Sequence, residues 1–481
     1  MNLARLFSRR FWTAIGGGLL LLCVGCDPQD WICWAPDGQH AFLRGADGTW
    51  LVDSSGKILG KATDAQAWLP DSRRVIAVHL VKPTSWDEYA KLLGPERAEK
   101  TTKAAASMGE VIQKYRGDWA KFGDSPEYKK WENEVVGHAF AADWLTRSVA
   151  LYLQQTNPKV LAPILEASSS SITNLIPDTY ELSTCNVLPS DPRAERLLAR
   201  FPDEVLAVFP SPSGQALAFA VGEPDSPALY AIAQSTNSVP VLVDKGVTEA
   251  AWSTDGQNLV YAKTTVPYSL LQNSMQLGTI TSRRVCETNG QVLATFPDPK
   301  DLAGVILGQS DSLRSTLVAC LPDGRILFAA APIRLPALSS EEPGHLTLFA
   351  IRPGPTPTLE SIVRPADISR LPNRVDRFAL SPDKKRASIV DQQGNVSILS
   401  LDTGELLAIQ PTAVYSNTDK YTQLIPTWRT TNEVTCLVPI GDSSGSTART
   451  EVVLANLNGQ KTTISLSWSN ATMKGLLVPS E

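Results

Sequence analysis

The chain has 481 residues, a formal net charge of −5 and a charged fraction of 19%. This mildly acidic balance, without a basic patch, excludes a surface built for the phosphates of nucleic acid. The 34 prolines and 31 glycines indicate a turn-rich β protein, and the length alone is typical of about three domains.

Residues 1–25 have the features of an export signal. Three arginines and no acid precede an apolar run over residues 11–24, which is shorter than the ~20 residues that span a bilayer. Val24-Gly25-Cys26 resembles a bacterial lipobox, although Cys23 stands where that family usually has Leu. The resemblance implies that Cys26 is lipidated and becomes the mature N-terminus. An uncleaved anchor and an ordinary signal peptide are the alternatives.

The resemblance to a lipoprotein places the mature chain in the cell envelope, facing the periplasm or the exterior. Arg9 and Arg10 also resemble part of a twin-arginine export signal, so the general and the twin-arginine routes both stay open. Asp27 resembles a signal that retains some lipoproteins in the inner membrane, but the choice of membrane stays open as well.

The cysteines indicate neither a disulfide framework nor a metal site. After loss of Cys23 and lipidation of Cys26, an odd number remains, so at least one thiol is unpaired. Apart from Cys23 and Cys26 in the signal segment, the sequence contains no C-x-x-C pair of the kind used for zinc or thiol redox chemistry, and we therefore expect no cofactor and no metal. The remaining cysteines are Cys33, Cys185, Cys286, Cys320 and Cys436.

One turn motif recurs along the chain and predicts the fold. In each copy a short apolar strand ends in a turn of the Pro-Asp-Gly type, and a second apolar strand follows. Pro presets φ for the turn, Asp bonds its own backbone, and Gly adopts the positive φ that returns the strand. The copies are WAPDG at Trp34, WLPDS at Trp68, PSPSG at Pro210, WSTDG at Trp252, CLPDG at Cys320, LSPDK at Leu380 and a degenerate WRTTN at Trp428.

Seven such units, each continuing into a third and a fourth strand, predict an all-β propeller of seven four-stranded blades. Six or eight blades are alternatives because the seventh motif is weak, and a β-sandwich is the alternative architecture. The turns resemble the propeller repeats of TolB and related WD-repeat-like bacterial proteins over residues 31–80 and 175–468. The chain lacks the α/β domain of TolB, so the resemblance implies a fold and a compartment rather than a place in the Tol system.

Spacing between the motifs places a helical insertion in the second blade. Successive motifs lie 34, 142, 42, 68, 60 and 48 residues apart, and the excess of roughly 100 residues has a helical pattern. Pro95 and Pro126 occupy first-turn positions of predicted helices. The expected boundaries are 1–25 for the signal, 26–83 for the first blade and part of the second, 84–171 for the insertion, 172–468 for the remaining blades and 469–481 for a tail.

No catalytic motif is present: the chain lacks a G-x-S-x-G elbow, a Walker loop and H-E-x-x-H, and it has four separated histidines. We therefore favour a membrane-anchored, non-enzymatic scaffold that binds an envelope protein or peptide, with no catalytic residues. The alternatives are an envelope hydrolase or lyase acting on a saccharide in the central funnel, and a ligand-sensing module.

Long loops between second and third strands meet on one face of a propeller, and this elaborated face is where we expect partner contacts. The tryptophans of the insertion either pack its helices or serve as partner anchors, since Trp is enriched at binding hot spots. The candidate interaction residues are Trp86, Trp119, Trp131 and Trp144 in the insertion and Tyr268, Leu335 and Ser443 in the loops.

Overall fold

The computed structural model describes most strands and two long helices of the chain. The described residues are 32–45, 48–62, 64–114, 126, 142–159, 176–187, 195–222, 227–235, 238–247, 250–264, 275–276, 278–285, 290–296, 305–308, 318–332, 347–354, 357–370, 378–390, 396–408, 426–441, 447–458 and 461–464.

The strands form seven antiparallel sheets, six of four strands and one of four strands with two more added, so the prediction of seven four-stranded blades is confirmed. The first four blades contain β1 to β14, β16 and β17. Their bounds are β1 Ile32–Trp34, β2 His40–Gly45, β3 Gly48–Asp53, β4 Ile58–Lys61; β5 Ala65–Trp68, β6 Arg74–Val81, β7 Thr179–Asn186, β8 Arg196–Phe201; β9 Val205–Pro210, β10 Ala216–Val221, β11 Ala228–Ala233, β12 Val241–Lys245; and β13 Ala250–Trp252, β14 Asn258–Thr264, β16 Gly278–Arg284, β17 Gln291–Phe296.

The fifth blade is larger than its neighbours because β15 and β18 extend it to six strands. β18 pairs with the far end of β20, beyond the part of β20 that pairs with β19. The remaining bounds are β15 Met275–Gln276, β18 Val305–Gly308, β19 Val318–Cys320, β20 Ile326–Pro332, β21 Thr347–Arg352, β22 Thr358–Ser361; a 3-10 helix Pro365–Arg370; β23 Ala379–Leu380, β24 Arg386–Val390, β25 Val396–Ser400, β26 Leu406–Ala408; and β27 Thr427–Thr430, β28 Glu433–Gly441, β29 Thr447–Asn456, β30 Lys461–Ile464.

The recurring motif forms the same turn in the first six blades. In the first blade the amide of Gly38 donates to the carbonyl of Ala35 at 2.8 Å, and the Asp37 carboxylate accepts from the amide of Gln39 at 2.9 Å. A Cβ at Gly38 would lie 2.8 Å from the carbonyl oxygen of Arg429, so this position requires glycine for space as well as for its φ of 68°. The last motif residue has a positive φ in six blades: Gly38, Ser72, Gly214, Gly256, Gly324 and Lys384.

Tryptophans of the motif join neighbouring blades. In the fourth blade the Nε1 of Trp252 donates to the carbonyl of Phe209 in the third at 2.8 Å, and Trp252 is 5% exposed. An apolar blade interface therefore carries one neutral hydrogen bond that satisfies a main-chain carbonyl. The same type of bond joins Trp68 to Cys33 and Trp428 to Ala379, and Lys384 of the sixth blade donates to the carbonyl of Cys320.

Side chains join the first and seventh blades and so close the propeller, because the four strands of each of these two blades are consecutive in the chain. Trp34 Nε1 donates to the Thr435 hydroxyl at 2.8 Å, and Arg429 Nε donates to the Gly38 carbonyl at 3.0 Å. The Arg429 guanidinium also lies 5.2 Å from the Trp34 ring centre, at a distance suited to a cation–π contact.

The chain divides into two compact units. The helical unit comprises His79–Glu181 and Arg200–Glu204, and the propeller unit comprises Asp27–Val78, Leu182–Ala199 and Val205–Glu481. Apolar residues of adjacent blades form the core of the propeller unit. Leu327 and Leu348 of the fifth blade, for example, pack with Ala387 and Leu399 of the sixth.

Two long helices are described in the helical unit. α1 is Trp86–Lys114 and α2 is Ala142–Thr156. α1 is interrupted at Gly94, whose φ of 79° and ψ of 167° are not helical, so Pro95 begins a second helical stretch as its position in the sequence predicts. No helix in the described part of the chain is long and apolar enough to cross a membrane.

Candidate functional site

The described tryptophans of the insertion have different environments. Trp86 is 9% exposed and packs with Tyr89, Leu93 and Leu151, and its ring centre lies 5.2 Å from that of Tyr152. Its amide donates to the side chain of Gln155 in α2 at 2.7 Å. Trp86 therefore serves helix packing, which is one of the two roles that the sequence left open.

Trp144 lies nearer the surface of the helical unit, beside two cations of α1. The guanidinium of Arg97 lies 4.2 Å from its ring centre, and the ammonium of Lys100 lies 5.6 Å away. Such contacts favour a cation over an aromatic face by about 0.5–1 kcal/mol at exposed sites. The other proposed positions, Cys26, Trp119, Trp131, Tyr268, Leu335 and Ser443, lie outside the described residues.

A bidentate ion pair connects α1 to the segment after β8. Arg97 donates through both terminal nitrogens to the two carboxylate oxygens of Asp203, at 2.6 and 2.9 Å. Each side chain is about a quarter exposed, and the planar fork of Arg matches a carboxylate in this arrangement. Because the Arg97 guanidinium also contacts Trp144 of α2, this ion pair connects α1 and α2 with the segment after β8.

A second ion-pair group surrounds Arg200, at the end of β8. Its guanidinium binds Glu88 at the start of α1 and Glu181 in β7. Glu88 also accepts hydrogen bonds from the hydroxyl and the amide of Thr84, at 2.7 and 3.0 Å, and its own amide donates to the N-cap hydroxyl of Ser85 at 3.2 Å. These bonds from Thr84, with the charge of Arg200 added, lower the pKa of Glu88. Ion pairs therefore attach the start of α1 to β7 and to the end of β8.

A third group holds the two chain segments at which the insertion leaves and rejoins the sheet. Lys82 binds Asp178 at 2.8 Å and donates to the carbonyl of Ile176, also at 2.8 Å. Arg147 of α2 approaches the same carboxylate at 3.5 Å, and the hydroxyl of Thr179 donates to the Val81 carbonyl at 2.7 Å. The entry and exit of the insertion are consequently bonded to each other.

Two polar side chains of the helical unit take no part in these three groups of ion pairs. The Glu204 carboxyl and the Tyr180 hydroxyl are both largely buried, and burial raises the pKa of each group. The negative charge of Glu204 raises the pKa of Tyr180 further. Tyr89, by contrast, is hydrogen-bonded to Ser148, and burial raises its pKa to about 12.

The propeller unit contains a shallow polar cleft at the short turn of the fourth blade. Asp255 accepts from the Ser253 hydroxyl at 2.5 Å and from the Gln257 amide at 3.0 Å. These bonds lower the pKa of Asp255 and keep its carboxylate engaged in the turn. The lining residues are Asp255, Gln257, Asn258, Ser282, Arg284, Gly290 and Gln291.

Metal-binding groups are not assembled in the described part of the chain, where no three His, Cys, Asp or Glu side chains are placed to share an ion. His40 lies in β2 and His79 in β6, so the two belong to different blades. Cys320 is a buried free thiol in β19, and burial raises its pKa to about 11, which keeps it protonated at neutral pH.

No protein-family model matches the chain, and no curated protein matches it. Among solved structures, TolB from Acinetobacter baumannii is similar at 15% identity and a TM-score of 0.35, over 59% of this chain and 58% of TolB. A hydrazine synthase from Kuenenia stuttgartiensis is 12% identical with a TM-score of 0.40, over 91% of this chain and 95% of the other. A manganese-bound oligogalacturonate lyase is 12% identical with a TM-score of 0.38, over 60% of this chain and 72% of the lyase.

The chain thus covers less than two thirds of the length of TolB, and its identity to each of these proteins is low. Matches at this level carry no argument about activity. The assignment of a propeller rests on the seven four-stranded sheets of the chain itself.

Proposed function

We propose that the protein is a lipid-anchored, non-enzymatic β-propeller of the bacterial cell envelope, and that its helical unit holds a protein or peptide partner. The observation that carries this proposal is the set of ion pairs that attach the helices of the helical unit to its other segments. Ninety-seven residues separate β6 from β7, where a turn of a few residues would connect two antiparallel strands. Ordering the described part of this connection costs conformational entropy and adds nothing to the pairing of the blades.

These ion pairs support a binding role because they fix the geometry of the helices. Arg97 with Asp203, Arg200 with Glu88, and the bonds of Lys82 hold both ends of the insertion. A partner that meets a preorganised surface loses less free energy to ordering on binding. A loop that only connected strands would not require such ion pairs.

Part of the surface that this unit presents lies along α1. Its exposed positions alternate with the buried Thr101, Ala104 and Ala105 and carry charges of both signs. Such a mixture suits the rim of a reversible interface with another protein. The exposed positions include Lys91, Glu96, Glu99, Lys100, Lys103, Ala106 and Glu110.

Anchoring is tested at Cys26, which the sequence predicts as the lipidated residue. In cells that express Cys26→Ser, we expect the protein to leave the membrane fraction or to keep its uncleaved signal. Fractionation and intact-mass measurement distinguish these outcomes. A Cys26→Ser protein that is still cleaved and acylated contradicts the lipobox assignment.

Partner binding is tested by affinity capture from solubilised membranes with a C-terminal tag. Lys91→Glu with Ala106→Glu changes two exposed α1 positions, and we expect this variant to lose a partner that the unchanged protein captures. Gln39→Lys is the matched control, because Gln39 is exposed at a short turn of the first blade. Equal capture by all three proteins, with equal melting temperatures, contradicts the proposal.

The choice of control follows from the structure of the short turns. Gln257, at the equivalent turn of the fourth blade, lines the polar cleft and is therefore a less neutral position. Lys384 is also less suitable, since its ammonium donates to the Cys320 carbonyl at 3.1 Å across a blade interface. Gln39 has neither complication.

A further inference from the structure

The polar cleft of the fourth blade lies at the end of one sheet face. Asn258 of β14 is directly opposite Arg284 of β16, and Ser282 of β16 is opposite Gln291 of β17. Opposite residues, and residues two apart in a strand, project from the same face, so these four side chains lie side by side. Further along, the same face packs against the fifth blade through an apolar cluster that includes Val260, Ile280 and Phe328. The cleft is therefore the polar end of an apolar blade interface.

Ser282 departs from the pattern of the other blades. Leu51 of the first blade and Ser282 have equivalent positions, because each is opposite the second-strand residue that pairs with the residue before the motif. In five other blades the residue at this position is apolar and at most 6% exposed, whereas Ser282 is half-buried. Those five residues are Leu51, Ala231, Ala350, Ile398 and Leu454. Such a local break in an otherwise consistent pattern is typical of a functional site.

The corresponding end of the fifth blade is closed by one arginine. Arg325 donates to the carboxylates of Asp323 and Glu360, at 2.5 and 3.0 Å. It also donates to the carbonyl of Leu401 in the sixth blade at 2.9 Å, and its side chain is only 9% exposed. In the fourth blade, the residues at the positions of Asp323, Arg325 and Glu360 are Asp255, Asn258 and Gln291.

These fourth-blade residues leave their polar groups available to a ligand. The two hydrogen bonds that Asp255 accepts in its turn both reach Oδ1. Within the described part of the chain, the side-chain amides of Asn258 and Gln291 and the hydroxyl of Ser282 form no hydrogen bond, although the Asn258 main chain is bonded in the turn. Donors and acceptors that the fifth blade uses internally are thus open to the cleft.

The composition of the cleft indicates a neutral ligand with several hydroxyl groups. Its volume of about 500 Å³ lies within the range of small-molecule sites, but such sites are mostly apolar and every side chain that lines this one is polar. Asp255 and Arg284 contribute opposite charges, so the lining favours neither an anion nor a cation. Carboxamides and hydroxyls both donate and accept, which matches the adjacent hydroxyls of a sugar ring.

We propose that this cleft binds one residue of a neutral saccharide. Asn258, Ser282 and Gln291 bond the sugar hydroxyls, and Asp255 accepts a further hydroxyl through Oδ2. The site lies in the propeller unit, and the inference goes beyond the proposed function, since it does not depend on the partner of the helical unit. It is therefore tested without any partner.

The test titrates the full-length protein, in a detergent without a sugar headgroup, and follows binding by saturation-transfer NMR. The probes are methyl glucoside, methyl galactoside, methyl mannoside, maltose and lactose, and we expect at least one of them to bind saturably. Ser282→Leu introduces the residue that the first blade has at this position, so the fold should be kept while the larger side chain fills the cleft. Binding should weaken at least tenfold. Gln291→Leu removes only hydrogen bonds and should weaken binding on the order of tenfold.

Gln39→Leu, at the exposed short turn of the first blade, is the matched control and should leave binding unchanged. Binding by none of the five saccharides overturns the proposal. Saccharide binding that survives both Ser282→Leu and Gln291→Leu also overturns it, because the sugar then lies elsewhere. Inorganic phosphate is titrated in parallel, and a phosphate response without a saccharide response overturns the neutral ligand. If Ser282→Leu lowers the melting temperature, Gln291→Leu at its exposed position decides the outcome.

Discussion

The bonds that stabilise the propeller unit internally differ in kind from those that stabilise the helical unit internally. At blade interfaces of the propeller unit, a buried indole N–H donates to a main-chain carbonyl, as Trp252 does to Phe209. In the helical unit, partly exposed ion pairs connect α1 to strand ends, as Arg97 does to Asp203. Neutral buried bonds depend little on salt or pH, whereas partly exposed ion pairs depend on both.

From this difference we infer that the propeller unit provides the global stability and that the helical unit can change its structure locally. Each blade repeats one apolar interface, so the propeller gains stability from many similar contacts between neighbours. The helical unit depends on a few specific side chains, of which Glu88, Glu181 and Arg200 form one group. We therefore expect substitutions in the first unit to cost global stability and substitutions in the second to act locally.

The largest effect should come from a blade tryptophan. Trp252→Ala removes a 5% exposed indole and its bond to the Phe209 carbonyl. We expect a loss of about 3–5 kcal/mol in the free energy of unfolding, as for other large-to-small core changes. Urea denaturation followed by far-UV circular dichroism measures it. Trp252→Phe, which keeps a ring but removes the donor, should lose less, and equal losses would mean that packing of the ring contributes nothing beyond the hydrogen bond.

A smaller and local effect is expected at Arg97. Arg97→Met keeps an apolar stem but leaves Asp203 without its cation and Trp144 without the stacked guanidinium. We expect about 1–2 kcal/mol, given that both charged side chains are partly solvated.

Amide hydrogen exchange locates the effect of Arg97→Met. Exchange should accelerate in α1, while β10 and β14 of the propeller unit keep their protection. Lys103→Met, in an exposed pair with Glu99, is the control and should change neither unit. Faster exchange throughout the propeller strands would contradict the contrast between the units.

The smallest effect concerns pH and Glu204. Burial raises the pKa of Glu204 above its ordinary value of 4.5, so its contribution to stability is complete below that pH and is lost as pH rises through the raised pKa. Glu204→Gln should therefore gain stability relative to the unchanged protein as pH increases from 4 to 8, measured by denaturation at each pH.

Glu99→Gln should show the opposite trend. The hydrogen bond and charge of Lys103 lower the pKa of Glu99, so its contribution is present above the ordinary pKa and is lost as pH falls. Parallel pH profiles for the two variants would contradict the assigned environment of Glu204.

The sequence predicts the propeller in detail because its turns obey local rules. Asp37 and Gly38 perform the tasks expected of them, and the third strand of the second blade begins at Thr179, within the predicted TYELST segment. The added strands β15 and β18 of the fifth blade carry no comparable signal, since they are short and lack the motif. Their pairing depends on tertiary contacts that no local pattern encodes.

The candidate site was less predictable than the fold. Composition singles out the tryptophans of the insertion, but only packing distinguishes the buried Trp86 from Trp144 beside two cations. Arg97 and Asp203 lie 106 residues apart in sequence, and their pairing follows from the arrangement of α1 and β8.

The most direct test of binding by the helical unit replaces residues 84–171 with a short Gly-Ser linker and measures both folding and partner capture. Shortening one connection changes its closure entropy by only about 0.6 kcal/mol per doubling of length, so the propeller should keep its β circular-dichroism signal. We expect a folded β protein that no longer captures the partner of the full chain. A folded deletion variant that captures the partner as well as the full chain would contradict the assignment of binding to the helical unit.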